Sequence, residues 1–340
     1  VITPFQGFSV TASYFADIYQ QFVWGGSEPA DLWNFKTGEK TSDVSGNVKT
    51  LNNNFSKNER QVFDLYADYT KSFGRHNTHL LAGYNQEYFK SQGFGGARRD
   101  LLSYETPVFN AATGEITNLT GGANDYALRS LFGRLNYDFS GKYLFEANLR
   151  YDGSSRFSPN NRWGIFPSAS VGWMLSKEDF FQPLNPVFTN FKVRASYGEL
   201  GNNGIGNYDW QNFYSVVKYP FNGSPVSALI YNSFGNSRIT WEVTRAANIG
   251  IDTRLFNKLD LELEYYSKVT RSILASLPIP ATNGGISAPL VNSAKVRNAG
   301  FEAKATFSQR LGKLNIYAGM NFAYNKNRIV SYKGSFIEPH

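Results

Sequence analysis

The sequence predicts an all-β fold, the antiparallel wall of a transmembrane β-barrel, and three observations predict it. Apolar and polar residues alternate with period two in one segment after another. Tight turns and long polar loops take turns between those segments. Aromatic side chains gather near the segment ends, at Phe73, Tyr88, Phe89, Phe139, Tyr143, Tyr151, Trp163, Trp173 and Trp241. Period two sends successive side chains to opposite faces of a strand. Short turns at one end, longer loops at the other and aromatic girdles between are the habits of membrane barrels.

Composition narrows the function classes. The chain has 340 residues, 16% of them aromatic, and 34 basic against 27 acidic residues give a net charge of +7. No apolar run approaches the roughly 18 residues of a membrane helix. Cysteine is absent, which excludes a disulfide scaffold and any Cys-based nucleophile or metal site. His76, His79 and His340 are the only imidazoles, too few for a multi-histidine zinc site and poor material for His-dependent catalysis. No cofactor is expected and the chain reads as a non-enzyme. The basic residues are scattered, so nucleic acid is not an expected partner; a mildly positive lumen, or turns facing anionic surfaces, accounts better for the charge.

Eleven strands are expected, near 8–19, 62–73, 79–89, 127–139, 143–153, 165–175, 191–200, 241–254, 259–270, 298–310 and 314–325. The pattern is clearest where Tyr143, Phe145, Ala147, Leu149 and Tyr151 oppose Leu144, Glu146, Asn148, Arg150 and Asp152. Leu259, Leu261, Leu263 and Tyr265 likewise oppose Asp260, Glu262, Glu264 and Tyr266, and Phe301, Ala303, Ala305 and Phe307 oppose Glu302, Lys304, Thr306 and Ser308. Gly or Asn beside a basic residue marks tight links at 74–77, 140–142, 256–258 and 312–313, the chemistry of hairpin turns. The long links, expected to be extracellular loops, are 20–61, 90–126, 154–164, 201–240 and 271–297. Strict alternation of turn and loop requires 201–240 to add either no strand or two. Ser176–Phe181 is the single short helical candidate, with Ser176 as its N-cap. A soluble sandwich or solenoid would also alternate, but its strands are usually shorter and its loops less one-sided.

Residues 131–181 carry a recognisable text. Leu131-Phe132-Gly133-Arg134-Leu135-Asn136-Tyr137 leads into Tyr143-Leu144-Phe145-Glu146-Ala147-Asn148-Leu149-Arg150-Tyr151-Asp152-Gly153-Ser154-Ser155-Arg156-Phe157. Trp163-Gly164-Ile165-Phe166-Pro167-Ser168-Ala169-Ser170-Val171-Gly172-Trp173 follows. Further pieces are Lys192-Val193-Arg194-Ala195-Ser196-Tyr197-Gly198, Thr240-Trp241-Glu242, Asn248-Ile249-Gly250-Ile251-Asp252 and Val296-Arg297-Asn298-Ala299-Gly300-Phe301-Glu302. As a set they closely resemble the SusC/RagA family of TonB-dependent outer-membrane transporters of Bacteroidetes-type bacteria. The resemblance covers most of 127–335, whereas 1–126 matches only in style.

The resemblance implies a Gram-negative outer-membrane location and a barrel of roughly 22 strands, of which eleven strands make about half. It implies a plug domain and a TonB box, neither visible here. The opening at Val1-Ile2-Thr3-Pro4 without a signal peptide, and the end at Glu338-Pro339-His340 without a closing element, are what an interior piece is expected to show. The implied function is active import of oligosaccharides or peptides with a SusD-like surface lipoprotein, driven by the TonB–ExbB–ExbD system, in contact with outer-membrane lipid. The alternatives are a scaffold subunit with a vestigial pore and, more weakly, an outer-membrane enzyme.

Candidate cargo contacts are aromatic and planar polar side chains on the long-loop side. Tyr208, Trp210, Tyr214 and Tyr231 lie in or near 201–240 with Asn202, Asn203, Asn207 and Asn232, and Tyr104, Asn118 and Tyr126 lie in or near 90–126. Each is also suited to packing loops together. Arg150, Asp152, Arg194 and Glu264 face the expected lumen, as contacts or as a charge ladder on a wet wall. Other signals are weak. Asp152-Gly153-Ser154-Ser155 lacks the spaced carboxylates of a calcium loop, and the sequons at Asn54 and Asn118 read as chance. Gly198, Gly201, Gly204 and Gly206 do not make a phosphate-binding spacing, and His76 and His79 are expected to face solvent at the turn side.

Overall fold

The computed structural model describes residues 1–26, 31–43, 49–276, 279–280, 282 and 286–333. His340 and parts of the expected loops 20–61 and 271–297 lie outside the described residues. Sixteen strands occur among the described residues: β1 (Ile2–Phe5), β2 (Phe8–Gly25), β3 (Asp31–Trp33), β4 (Lys40–Asp43), β5 (Thr50–Phe73), β6 (His76–Arg99), β7 (Ile116–Phe139), β8 (Tyr143–Ser154), β9 (Trp163–Met174), β10 (Phe188–Asn202), β11 (Phe213–Phe221), β12 (Ser224–Ser233), β13 (Glu242–Leu255), β14 (Leu259–Ser276), β15 (Leu290–Leu311) and β16 (Leu314–Tyr332). Twelve of them form one sheet in the order β1-β2-β5-β6-β7-β8-β9-β10-β13-β14-β15-β16, so strands adjacent in the sheet follow one another along the chain. The pairs β3–β4 and β11–β12 form separate two-stranded ribbons. Among the described residues no helix is long and apolar enough to cross a membrane. The sheet is open, all-antiparallel where its registers are resolved from β7 to β16, and of the barrel type that the alternation predicts.

Register explains why one face is apolar across the middle of the sheet. From β8 to β16, Phe145 pairs with Val171, Val171 with Ala195, Ala195 with Ile249, Ile249 with Tyr265, Tyr265 with Phe301 and Phe301 with Tyr324. The opposite face sets Glu146 against Ser170, Ser170 against Ser196 and Ser196 against Asn248. A slip of one residue anywhere would exchange the faces. The apolar face is bare of protein: Leu149 is 53% exposed and Ile249 54%. A water-soluble sheet would bury such a face against a second layer; hydrocarbon is the solvent it suits.

The chain folds as two compact units. One comprises 1–13, 64–86 and 128–340, the other 14–63 and 87–127. In the first, the tight turns follow the expected chemistry. Ser140 and Gly141, and Phe256 and Asn257, all have positive φ, the paired left-handed geometry that matches hairpin twist. Gly7 has φ +83°, and a Cβ there would lie 2.3 Å from the Thr70 carbonyl oxygen, so no larger residue fits. Aromatic rings line this turn end, with Phe73 stacked on His76 at 5.0 Å, Phe139 near Tyr143 at 6.2 Å and Tyr143 near Trp173 at 6.4 Å.

In the second unit, the polar ends of β5, β6 and β7 continue well past the expected strand limits. Leu51, Leu101 and Ala112 form its small buried core. Arg60 grips Glu87 with two hydrogen bonds of 3.1 and 3.0 Å, and the Tyr126 hydroxyl donates to the same carboxylate at 2.8 Å.

Several expectations require correction. The sheet contains a strand not foreseen, β1. The loops expected at 20–61 and 90–126 give up much of their length to strand, because β5 begins at Thr50, β6 runs to Arg99 and β7 begins at Ile116. The 201–240 loop takes one of the two options that alternation leaves: it adds two strands, β11 and β12, which pair with each other outside the main sheet. The helix expected over Ser176–Phe181 is instead two 3₁₀ turns, Leu175–Lys177 and Asp179–Leu184, with no side-chain cap; Pro183 lies inside the second. His76 does not face solvent freely. It opens β6, half-buried among Phe73 and Phe139, and shares a 2.7 Å hydrogen bond with the Tyr137 hydroxyl. His79 pairs with Asp68. The two-residue β5–β6 turn is shorter than expected, which moves His76 onto the strand that already held His79.

Candidate functional site

Two places gather the side chains with chemistry, both within the first unit: the polar face of β8–β15 and the loop cluster at the far end of the same strands. The polar face is a lattice of ion pairs and amides. Arg194 on β10 donates from Nε to both oxygens of Asp252 on β13, at 3.0 and 3.2 Å, and from Nη1 to Glu264 on β14. Lys192 reaches the same Asp252 at 3.3 Å. Arg150 holds Asp152 two residues along β8, with bonds of 3.2 and 3.0 Å, and lies over the Phe132 ring at 5.5 Å. Asn136 and Asn148 both donate to Glu146 at 2.8 Å.

One glycine makes the Arg194 bridge possible. Register sets Gly250 beside Arg194, and the guanidinium lies over it on the way to the two acids. A concavity of about 530 Å³ opens on this face, lined among others by His79, Glu146, Ser170, Lys192 and Arg194. It offers donors and acceptors of both signs beside Leu144 and Val171.

The loop cluster rests on a buried apolar knot of Phe157, Phe166, Ile205, Ile239 and Trp241. Trp241 lies 5.2 Å from Phe157 and 5.3 Å from Phe166 between ring centres, and its Nε1 donates to the Arg162 carbonyl at 2.9 Å. Asn292 ties the next loop on, bonding Thr240 in both directions and the Ser272 carbonyl at 2.7 Å. Between Ile205 and Ile239 of the knot, β11 and β12 pair as a separate ribbon. Tyr214 and Tyr231 are direct partners on it, their rings 4.7 Å apart, and Phe234 continues the stack at 5.7 Å from Tyr231. Both tyrosines are about half exposed. The hydrogen bond to Tyr231 raises the Tyr214 pKa above its ordinary value.

The structure separates the residues singled out from sequence. Tyr214 and Tyr231 come together as one exposed aromatic surface. Tyr208 and Trp210 lie in the turn at 207–210, with Tyr208 at φ +68° and the Trp210 Nε1 buried without a hydrogen-bond partner. Asn202, Asn203 and Asn207 are committed to the scaffold: Asn202 donates to Glu242 at 2.9 Å, Asn203 to Ser154 Oγ at 3.0 Å, and Asn207 accepts from Arg156 at 2.9 Å. Asn232 is exposed on β12. In the other unit, Tyr104 donates to the Thr50 carbonyl at 3.0 Å and Tyr126 is held by Glu87; Asn118 is exposed on β7. Sequence reasoning missed Asp252, the acid on which Arg194 and Lys192 converge. Its signal was present, since Asp252 occupies a polar-face position of a clearly alternating strand.

The family model described as TonB dependent receptor-like, β-barrel, matches residues 4–337. TonB-dependent receptor P3 of Formosa agariphila is 32% identical over 86% of this chain, and TonB-dependent receptor SusC of Bacteroides thetaiotaomicron is 30% identical over 79%. The chain spans 28% and 25% of the lengths of those two relatives. Among solved structures, the RagAB peptide transporter superposes with a TM-score of 0.86 at 24% identity, covering 98% of this chain and 36% of its counterpart, a likeness of fold. An apolar outer face, a charged inner face, uninterrupted next-neighbour pairing and these relatives lead to one assignment: the chain belongs to the TonB-dependent receptor-like β-barrel family of the outer membrane, on its SusC/RagA branch.

Proposed function

We propose that this chain is a wall segment of an active importer that carries oligomeric nutrients, oligosaccharides or peptides, across the outer membrane. The observation that carries the reading is the two-faced sheet. Through the middle of β8–β16 one face is apolar and bare, while the other bears the Arg194–Asp252–Glu264 and Arg150–Asp152 pairs that require water. Such a wall belongs between lipid and an aqueous bore. In this reading the tight turns face the periplasm and the loop cluster faces outside. A bore of roughly 22 strands leaks unless plugged. An upstream plug, TonB–ExbB–ExbD coupling and a SusD-like lipoprotein over the mouth complete the machine. The chain's own part is to present the Tyr214–Tyr231 pair to arriving cargo and to line the passage with paired charges, and we assign it no catalytic role.

The test is uptake by cells whose chromosomal gene is deleted and complemented with the full-length protein. Wild-type protein restores growth on an oligosaccharide or peptide mixture as sole nutrient. The double variant Tyr214→Ala/Tyr231→Ala, surface-expressed at equal level, raises the half-saturating nutrient concentration about tenfold, as loss of an aromatic contact centre does. Unchanged uptake after deletion of the gene would instead favour a scaffold role for the barrel.

A further inference from the structure

The apolar face changes character beyond its aromatic row at the loop end. Ile249, Tyr265, Phe301 and Tyr324 are cross-strand partners on that face. Two and four residues further along, at positions of the same parity, come Arg245 on β13, Arg297 on β15, and Lys326 and Arg328 on β16, followed by Arg271 on β14 and Lys295 on β15. These six cations share the face that meets hydrocarbon lower down, not the polar face.

Their pairing differs from that of the polar face. There, Lys192, Arg194 and Lys304 each meet a carboxylate, and Lys268 lies over the Tyr266 ring. On the apolar side of β10 and β13–β16, Glu199 is the one acid among the described residues, holding Arg245 at 2.7 Å and Arg271 at 3.3 Å. Arg271 Nε is nevertheless buried without a hydrogen-bond partner. Among the described residues no carboxylate meets Lys295, Arg297, Lys326 or Arg328, and β16 contains no acid at all. Arg297 and Arg328 are direct cross-strand partners, a like-charge pairing that destabilises a sheet unless an anion lies against it.

Depth identifies the anion. Four residues of strand cover about 13 Å, or roughly 9 Å of height at a 45° tilt, which lifts Arg297 from the aromatic girdle to the headgroup level. With the loop end outward, as the proposed function has it, that level belongs to the outer leaflet. We infer that the outward face of β13–β16 is a binding surface for the phosphate groups of the outer leaflet's phosphorylated glycolipid. Guanidinium pairs at the Arg297–Arg328 step present forked donors to phosphate oxygens. A second copy of the chain on the same face would set cations against cations across a two-fold axis, which disfavours self-association there.

The experiment uses the full-length protein in detergent, titrated with purified lipopolysaccharide, either native or enzymatically dephosphorylated, with bound lipid counted by native mass spectrometry. Wild-type protein binds the native lipid and loses it on dephosphorylation. A basic side chain at headgroup level is worth about fivefold in partition, so Arg297→Gln/Lys326→Gln/Arg328→Gln weakens binding by roughly a hundredfold. The control Lys268→Gln/Lys304→Gln, on the opposite face, binds as wild type, and heat-modifiable gel mobility establishes that both variants fold. Equal binding of dephosphorylated lipid, wild-type affinity in the triple variant, or a dimer that the triple variant dissolves would overturn the inference. Labelling Ser224→Cys on intact cells with an impermeant thiol reagent separates the two claims. Without labelling, the outward orientation fails and this surface fails with it; with labelling but no phosphate dependence, only the lipid surface fails.

Discussion

Arg194 lies across from Gly250, and its guanidinium carbon is 2.8 Å from the point where a Cβ on Gly250 would stand. The glycine is therefore the floor over which the arginine reaches Asp252 and Glu264. A side chain at 250 would also meet the Leu263 carbonyl at 3.0 Å, and backbone cannot swing away. Gly250→Val is expected to lift Arg194 off both acids and to lower stability by about 1–3 kcal/mol, the usual range for forced overpacking. Urea unfolding of the full-length protein in phospholipid vesicles measures it. A valine variant as stable as wild type would show that the arginine has another way across.

The bridge itself can be weighed by a double-mutant cycle. Arg194, Asp252 and Glu264 are each roughly 25–31% exposed, so water screens them and the expected coupling is modest, about 1 kcal/mol per pair. Arg194→Met alone should cost more than the pair is worth, because two carboxylates are then left side by side with only Lys192 to balance them. Arg194→Met/Glu264→Leu should recover much of that loss. Raising salt to 1 M shortens the Debye length to about 3 Å and should shrink the wild-type advantage. Independence from salt would mean that the arginine acts through packing.

The apolar knot under the loops calls for a different outcome. Phe157 and Ile239 are fully buried, and Trp241 packs on Phe157. Phe157→Ala leaves a cavity costing about 3–5 kcal/mol, but the cost falls on the loop cluster and not on the strand ladder. Protease should then cut within 203–240 in the variant and spare the wild type, while heat-modifiable mobility persists in both. Loss of that mobility would show that loops and wall fold as one cooperative unit.

How much of this was legible follows from which solvent each segment meets. Tyr143–Asp152 could be read by eye because lipid faces one side and water the other. The start of β7, Ile116-Thr117-Asn118-Leu119-Thr120-Gly121-Gly122, has a backbone ladder but no such contrast, so its strand left no period in the sequence. The same holds for Thr50–Asn54 at the start of β5. Arg150 and Asp152 are neighbours on one strand, and their pairing follows from spacing. Asp252 lies 58 residues from Arg194, and only register brings them together. The asparagines at 202, 203 and 207 looked like cargo contacts because an amide that anchors a loop and one that meets a solute have the same composition signal.

A pH signature should appear at the turn end, outside the spanning strands. Glu178 accepts hydrogen bonds from the Tyr143 hydroxyl, the Trp173 Nε1 at 3.1 Å and the Lys142 ammonium at 3.1 Å, and these hold its pKa below the ordinary carboxylate value. The folded pKa is thus lower than the unfolded one, near 4.3. The contribution is fully present above the unfolded value and is lost as pH falls through the folded one. Glu178→Gln should therefore unfold at lower urea than wild type at pH 7, with the gap closing as the buffer is taken below about pH 4. Trp173→Phe, which keeps the ring and removes one donor, should produce a smaller gap of the same sign. A gap constant from pH 7 to pH 3 would place the effect in packing of the 3₁₀ turns, and one that widened in acid would mean that the carboxylate is destabilised where it stands.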